Sequence, residues 1–271
     1  MRKPMLIAAI GTLTVVVGLG GLWSLQRRLI YFPEQQLPSQ GIVAPEAEAV
    51  EFTTDDGLTL NGWFFAHPQA DAAVVVFNGN GGNRGGRVGL ARSLASLEHG
   101  VLLFDYRGYG GNQGQPSEEG LIADGLAAVR FVGGRPDVDP TKIIYFGESL
   151  GAAVALGVAE QIEPAALVLR SPFASLASVG SIHYPILPMS MLLRDRYDNV
   201  ERIGRIAAPL LIVAGSADGT IPIDESRHLY DAAAEPKELV VIEGADHNDY
   251  ELAGGPQLIE AVGEFLAEHG P

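Results

Sequence analysis

The sequence predicts an α/β fold, a mostly parallel eight-stranded sheet with helices on both faces and a short cap inserted late in the chain. Three observations predict it. After residue 45, β-branched runs of strand length alternate with helix-period segments, the pattern of strands buried on both faces. The 271 residues are 47% hydrophobic and 19% charged, with 34 glycines and 17 prolines for turns, which excludes a disordered or coiled-coil chain. That length suits one α/β domain with a sizeable core better than two full domains.

The elements follow in chain order. Residues 5–25, MLIAAIGTLTVVVGLGGLWSL, carry no charge over 21 positions, enough at about 1.5 Å per residue to cross a roughly 30 Å hydrocarbon layer. The run exceeds a usual signal-peptide core and no Ala-x-Ala-like site precedes Arg27, so residues 1–28 read as an uncleaved membrane anchor and 29–271 as the folded domain. Arg2, Lys3 and the terminal amine against Arg27 and Arg28 give a small positive excess on the N-terminal side, which points the domain to the extracytoplasmic side. After prolines 33, 38 and 45, two strands are expected at 49–53 and 58–66. They flank Asp55-Asp56-Gly57, a hairpin signal, so this front end should be antiparallel. Further strands are expected at 72–77, 101–106, 142–147, 166–170, 210–214 and 239–243. Helices are expected at 84–97, 118–132, 150–162, 224–234 and 257–269. Between the sixth and seventh strands lies a segment rich in Ile, Leu, Met and Pro, read as a cap over about 174–205; Ile182, Ile186, Leu187 and Met189 are its candidate substrate-binding residues.

Charge and cysteine usage exclude several functions. Arg2, Lys3, Arg27 and Arg28 are the only charged side chains up to residue 28, so residues 29–271 hold 14 Lys+Arg against 33 Asp+Glu, a net −19. A domain that acidic lacks the footprint of a nucleic-acid binder. With no cysteine, disulfides, thiolate metal sites and cysteine nucleophiles are excluded.

The chemistry is expected at Gly147-Glu148-Ser149-Leu150-Gly151, between a strand and a small-residue helix. A serine on such a strained turn projects its hydroxyl, while the flanking glycines let strand and helix pack closely. Ser149 is the candidate nucleophile. In this arrangement an acid and then a histidine follow, each on a loop after a later strand. Asp218 follows LLIVAG and His247 follows the next strand, so His247 is the candidate base and Asp218 its orienter; Asp224, Asp246 and Asp249 are alternative acids. The other histidines, 67, 99, 183, 228 and 269, are read as structural. Asn78-Gly79-Asn80-Gly81-Gly82 follows the third strand, and the backbone N–H groups of Asn80 and Leu150 are the candidate oxyanion donors. The same loop admits a rival reading. Gly79-x-Gly81 opens a helix and Asp105 ends the next strand, as in a dinucleotide site, but the third glycine position is Arg84.

Taken together, these residues resemble the α/β-hydrolase superfamily and, more closely, its membrane-anchored branch that includes the depalmitoylase-like α/β-hydrolase domain-containing proteins. The likeness covers most of the chain from about Arg28. It rests also on Asp105-Tyr106-Arg107-Gly108-Tyr109-Gly110 with Gly114, Pro116, Ser117 and Glu118, on Ser171-Pro172-Phe173, and on Asp195-Arg196-Tyr197-Asp198-Asn199. This chain has Asn78 where the branch usually has histidine and Asn112 where it has serine. The resemblance implies a serine hydrolase of ester, thioester or sometimes amide bonds that uses no metal or cofactor. The expected partners are a small-molecule or lipid acyl substrate and the membrane, with no obligate protein partner. A catalytically silent, membrane-tethered binding module is the alternative from a different class.

Overall fold

The computed structural model describes residue 18, residues 20 and 21, and residues 23–271. The expected span at 5–25 therefore lies almost wholly outside the described residues; among these, no helix is long and apolar enough to cross a membrane. Residues 23–30 are helical and lead into a two-residue parallel ladder, Phe32–Pro33 against Gly81–Gly82.

Eight strands form one sheet: β1 (Glu48–Thr53), β2 (Thr59–Phe65), β3 (Ala73–Phe77), β4 (Gly100–Phe104), β5 (Ile143–Glu148), β6 (Ala166–Arg170), β7 (Leu210–Gly215) and β8 (Lys237–Ile242). Their order is β1-β2-β4-β3-β5-β6-β7-β8. β2 runs antiparallel to both β1 and β4, and every other pairing is parallel. From β3 the chain moves outward to β4, then returns past β3 to β5 and continues the other way. The crevice beyond the carboxyl ends of β3 and β5 is thus the topological switch point, where open α/β sheets bind ligands. It receives the Asn78–Gly82 loop and Ser149.

Strand residues alternate between two buried clusters. Val75 and Phe77 of β3 face one with Phe104, Tyr145 and Leu169, whereas Val74 and Val76 face the other with Leu103, Phe146 and Val213. On the second face lie α1 (Val88–Ala95) and α6 (Pro256–His269), presenting Leu90, Leu94, Val262 and Phe265. On the first lie α2 (Glu118–Gly133), α3 (Leu150–Ala159) and α5 (Ile223–Ala232). α2 starts where the Ser117 side chain accepts the Gly120 N–H, with Glu118 and Glu119 in its first turn complementing the helix dipole. α3 is Ala, Gly, Val and Leu throughout and wholly buried, as a helix sandwiched between sheet and α2 must be.

The eight strands fall within two residues of their expected positions. The helix expected from residue 84 starts as a 3₁₀ turn, Arg84–Arg87, because the Arg84 N–H is drawn to the Asp105 carboxylate (2.7 Å) instead of into a helical turn. The segment between β6 and β7 forms α4 (Leu176–His183) and two short helices, Met189–Leu192 and Asn199–Ile203.

Candidate active site

Ser149 sits between β5 and α3 at φ 51°, ψ −114°, a backbone conformation that a non-glycine residue holds at a cost of about 1–3 kcal/mol. Its neighbours explain how the turn closes. A Cβ on Gly147 would lie 2.5 Å from Ala152 Cα, and one on Gly151 would lie 2.0 Å from the Phe77 carbonyl oxygen. Only glycine allows α3 to start this close to β3 and β5. The Ser149 N–H donates to the Arg170 carbonyl at 2.8 Å, fixing the turn to β6.

The loops after β7 and β8 bring the expected acid and base together. Asp218 Oδ2 lies 2.7 Å from His247 Nδ1, both side chains being buried. Its other oxygen accepts the N–H groups of Thr220 (2.9 Å) and Ile221 (2.7 Å), so the carboxylate is held on both sides. Burial pushes the Asp218 carboxyl up, but the His247 hydrogen bond and the two backbone N–H groups outweigh it and hold it below the usual carboxylate range. The alternative acids are committed elsewhere. Asp224 pairs with Arg227, and Asp249 accepts the Asp246 N–H. Asp246 accepts the N–H groups of Gly219 (2.9 Å) and His247 (2.8 Å), tying the acid loop to the base loop. Hydrogen bonds hold His247 at its ring Nδ1, its N–H and its carbonyl; none joins its ring to Ser149 Oγ.

Asn80, Ser149 and Leu150 line one cavity of about 310 Å³. The Asn80 carbonyl accepts from the Phe32 N–H and the Tyr109 hydroxyl, each at 2.8 Å, and the Asn80 side chain donates to the Ile30 carbonyl at 2.9 Å. The loop is therefore pinned by the chain that follows the N-terminal helix. Among the described residues, neither the Asn80 nor the Leu150 N–H donates to a protein acceptor. Asn78 donates through its side chain to the Phe104 carbonyl, and Asn112 to the Asp105 carbonyl while accepting from Asn61, so both asparagines bind loops together.

Of the cap residues expected to bind substrate, Leu187 and Met189 line the cavity. Ile182 and Ile186 do not: they are 49% and 94% exposed, because α4 turns Leu176 and Val179 inward instead of Ile182, and Ile186 lies in the turn after α4. The rival dinucleotide reading, already disfavoured by Arg84, finds no support in the geometry. Asp105 is buried, accepts the Arg84 N–H and pairs with its guanidinium, leaving no carboxylate for a ribose, while Gly81–Gly82 is paired with Phe32–Pro33.

Several positioning groups escaped the sequence reading. Glu148, inside the Gly-x-Ser-x-Gly pentapeptide, is buried and pairs with Arg87 at 3.0 Å. Burial pushes its carboxyl up, yet the charges of Arg87 and Arg170 and the Arg87 hydrogen bond hold it below the ordinary range. Arg170 donates to the His247 carbonyl at 2.5 Å while its own carbonyl holds the Ser149 N–H, linking the Ser149 turn to the His247 loop through β6. A charged residue at the carboxyl end of each of two otherwise apolar strands was the available signal. His183, read as structural, lines the cavity with Nε2 2.9 Å from the Thr220 carbonyl.

Comparisons with known proteins bear on the fold and the family. The family described as serine aminopeptidase, S33, matches residues 68–197. A protein of Mycobacterium tuberculosis (strain ATCC 25618 / H37Rv) described as uncharacterized is 53% identical over 250 residues, 91% of this chain and 89% of its own length. The α/β hydrolase domain-containing protein WAV2 of Arabidopsis thaliana is 32% identical over 180 residues, 62% of this chain and 58% of its own. Among solved structures, the Pyrococcus furiosus esterase Pf2001 superposes with a TM-score of 0.73 at 21% identity, over 89% of this chain and 97% of that one.

Proposed function

The chain belongs to the α/β-hydrolase superfamily, and on that premise we propose that it is a membrane-anchored serine hydrolase cleaving carboxylic esters of medium-chain or lipid-like acyl groups. One observation carries the reading: the 2.7 Å contact between Asp218 and His247 Nδ1 stands at the carboxyl ends of the strands, where the Ser149 turn also lies. A carboxylate on Nδ1 keeps the proton there and leaves the Nε2 lone pair free to take one.

In this mechanism His247 Nε2 removes the Ser149 proton as Oγ attacks the acyl carbonyl, through a hydrogen bond that forms when substrate is bound. The N–H groups of Asn80 and Leu150 hold the oxyanion, and the latter stands at the start of α3, where the helix dipole adds to it. His247 then protonates the departing alcohol, and water repeats the cycle on the acyl-enzyme.

The cavity favours an acyl chain over a peptide. Trp23, Leu29, Leu176, Val179, Leu187 and Met189 supply apolar walls, and no carboxylate lines it among the described residues. A substrate with a free ammonium group, as an aminopeptidase requires, would be desolvated there without a counter-charge, a cost of several kcal/mol. The uncharged run at 5–25 supports anchoring, and the charge asymmetry around it supports an extracytoplasmic domain.

The test is hydrolysis of p-nitrophenyl esters of graded chain length. Wild type should prefer medium or longer chains, and Ser149→Ala should lower kcat/KM by at least about 10³-fold. Full activity in that variant refutes the assignment of the nucleophile, and a flat chain-length profile refutes the acyl specificity.

A further inference from the structure

The mouth of the Ser149 cavity opens on an uneven surface. Trp23 and Leu29 of the N-terminal helix and Tyr184 after α4 line the cavity, yet each is about half exposed or more. The apolar rim continues through Leu25, Ile182, Ile186 and Met191, the last two being 94% and 82% exposed. Seven of the ten large hydrophobic side chains exposed among the described residues thus belong to the helix at 23–30 or the cap. Water-facing apolar area so concentrated marks an interaction surface.

Charge follows the same distribution. Of the exposed arginines among the described residues, 92, 130, 196, 205 and 227 are paired with carboxylates. Arg28 and Arg194 are not. Arg28 is on the N-terminal helix, and the Arg194 guanidinium stacks over the Trp23 ring, 4.8 Å from its centroid. Residues 29–271 carry a net −19, yet the two exposed cations without a carboxylate partner among the described residues, Arg28 and Arg194, belong to the helix and cap that form the apolar rim.

The helix and cap are locked to each other. Arg27 makes a two-pronged pair with Asp195 (2.8 and 2.9 Å), and the Tyr31 hydroxyl donates to the same carboxylate at 3.0 Å. The Gln26 amide donates to the Leu192 carbonyl and accepts the Arg194 N–H. The rim is therefore a fixed face, not two loose segments.

We propose that this face docks on an anionic lipid bilayer, so that the cavity takes the acyl chain of an ester lipid directly from the membrane. An aromatic ring beside arginines, with apolar side chains around them, suits the headgroup boundary: the rings and aliphatics enter the acyl edge and the guanidiniums meet phosphate. The proposal rests on the ester-hydrolase reading. The reaction breaks the acyl C–O bond; water supplies the hydroxyl of the acid and the proton of the alcohol.

The test uses the full chain reconstituted in phosphatidylcholine vesicles with and without phosphatidylglycerol. It assays a fluorogenic long-chain ester in the bilayer and p-nitrophenyl butyrate in solution. Wild type should cleave the bilayer ester faster in the anionic vesicles. Arg194→Glu should lose that stimulation, by about fivefold or more. The double variant Ile186→Asp/Met191→Asp, whose side chains do not touch the cavity, should lose bilayer turnover in both vesicle types. Both variants should hydrolyse the butyrate ester like wild type. Unchanged bilayer turnover in the variants, or equal losses on both substrates, overturns the proposal. So does a changed oligomeric state in detergent with vesicle preference intact, which would make the face an interface between copies. Failure of wild type to cleave either ester instead sinks the ester-hydrolase reading.

Discussion

Ser149 and Asp218 make opposite demands on the fold. The Ser149 backbone is held at positive φ to expose a hydroxyl, so Ser149→Gly should abolish ester turnover while raising stability by about 1 kcal/mol, read as a higher Tm. Asp218 works in the other direction. Its folded-state pKa is depressed, so its stabilisation is fully present above the unfolded carboxylate value of about 3.9 and is lost as pH falls through the lower folded value. The Tm gap between wild type and Asp218→Asn should therefore be widest near neutral pH and close in strong acid. A gap that is constant down to the acid limb would mean that the amide and the carboxylate are held alike. Activity of the same variant should fall less than that of His247→Ala, since in the proposed mechanism Asp218 orients the ring and does not itself accept the proton from Ser149.

The β5–Ser149–α3 junction depends on two missing side chains. Gly151→Ala would drive a methyl into the Phe77 carbonyl, so it should destabilise by at least about 1–3 kcal/mol and reduce soluble expression. Native stability in that variant would show that α3 can slide. This junction was legible in the sequence because local pattern and close packing coincide there: strand, glycine, serine, glycine, small-residue helix. The eight strands were legible for the same reason, each being a short apolar run bounded by turn residues. What failed was local pattern without partners. Ile182 and Ile186 look like cavity residues in a segment rich in Ile and Leu, but helix phase turns Val179 inward and leaves Ile182 outside, while Ile186 falls in the turn that follows. Asp105 stands where a dinucleotide site places its carboxylate and Arg84 where that fingerprint lacks its third glycine, and only the meeting of the 3₁₀ turn with the end of β4 shows them paired with each other. The Arg170 link to His247 spans 77 positions, beyond the reach of any local signal.

Across the whole molecule, the N-terminal helix is a wall of the cavity as well as the link to the expected anchor. Arg27 and Tyr31 grip Asp195, and Tyr31 also meets the Tyr197 hydroxyl at 3.0 Å; Tyr31, Asp195 and Tyr197 are buried. Asp195→Ala leaves that guanidinium without its partner, so it should loosen the helix from the cap. Its expected signature is a higher KM for long-chain esters with kcat for short ones nearly intact; an equal loss at every chain length would show that the latch serves the catalytic loops instead. The proposed chemistry needs one alcohol, on Ser149, made reactive by residues 69 and 98 positions further along the chain. Labelling the full chain with a fluorophosphonate and reading the intact mass and the modified peptide tests it most directly. A single adduct on Ser149, absent from Ser149→Ala and strongly slowed in His247→Ala, is the predicted result; an undiminished adduct in Ser149→Ala, or none on the folded wild type, would contradict it.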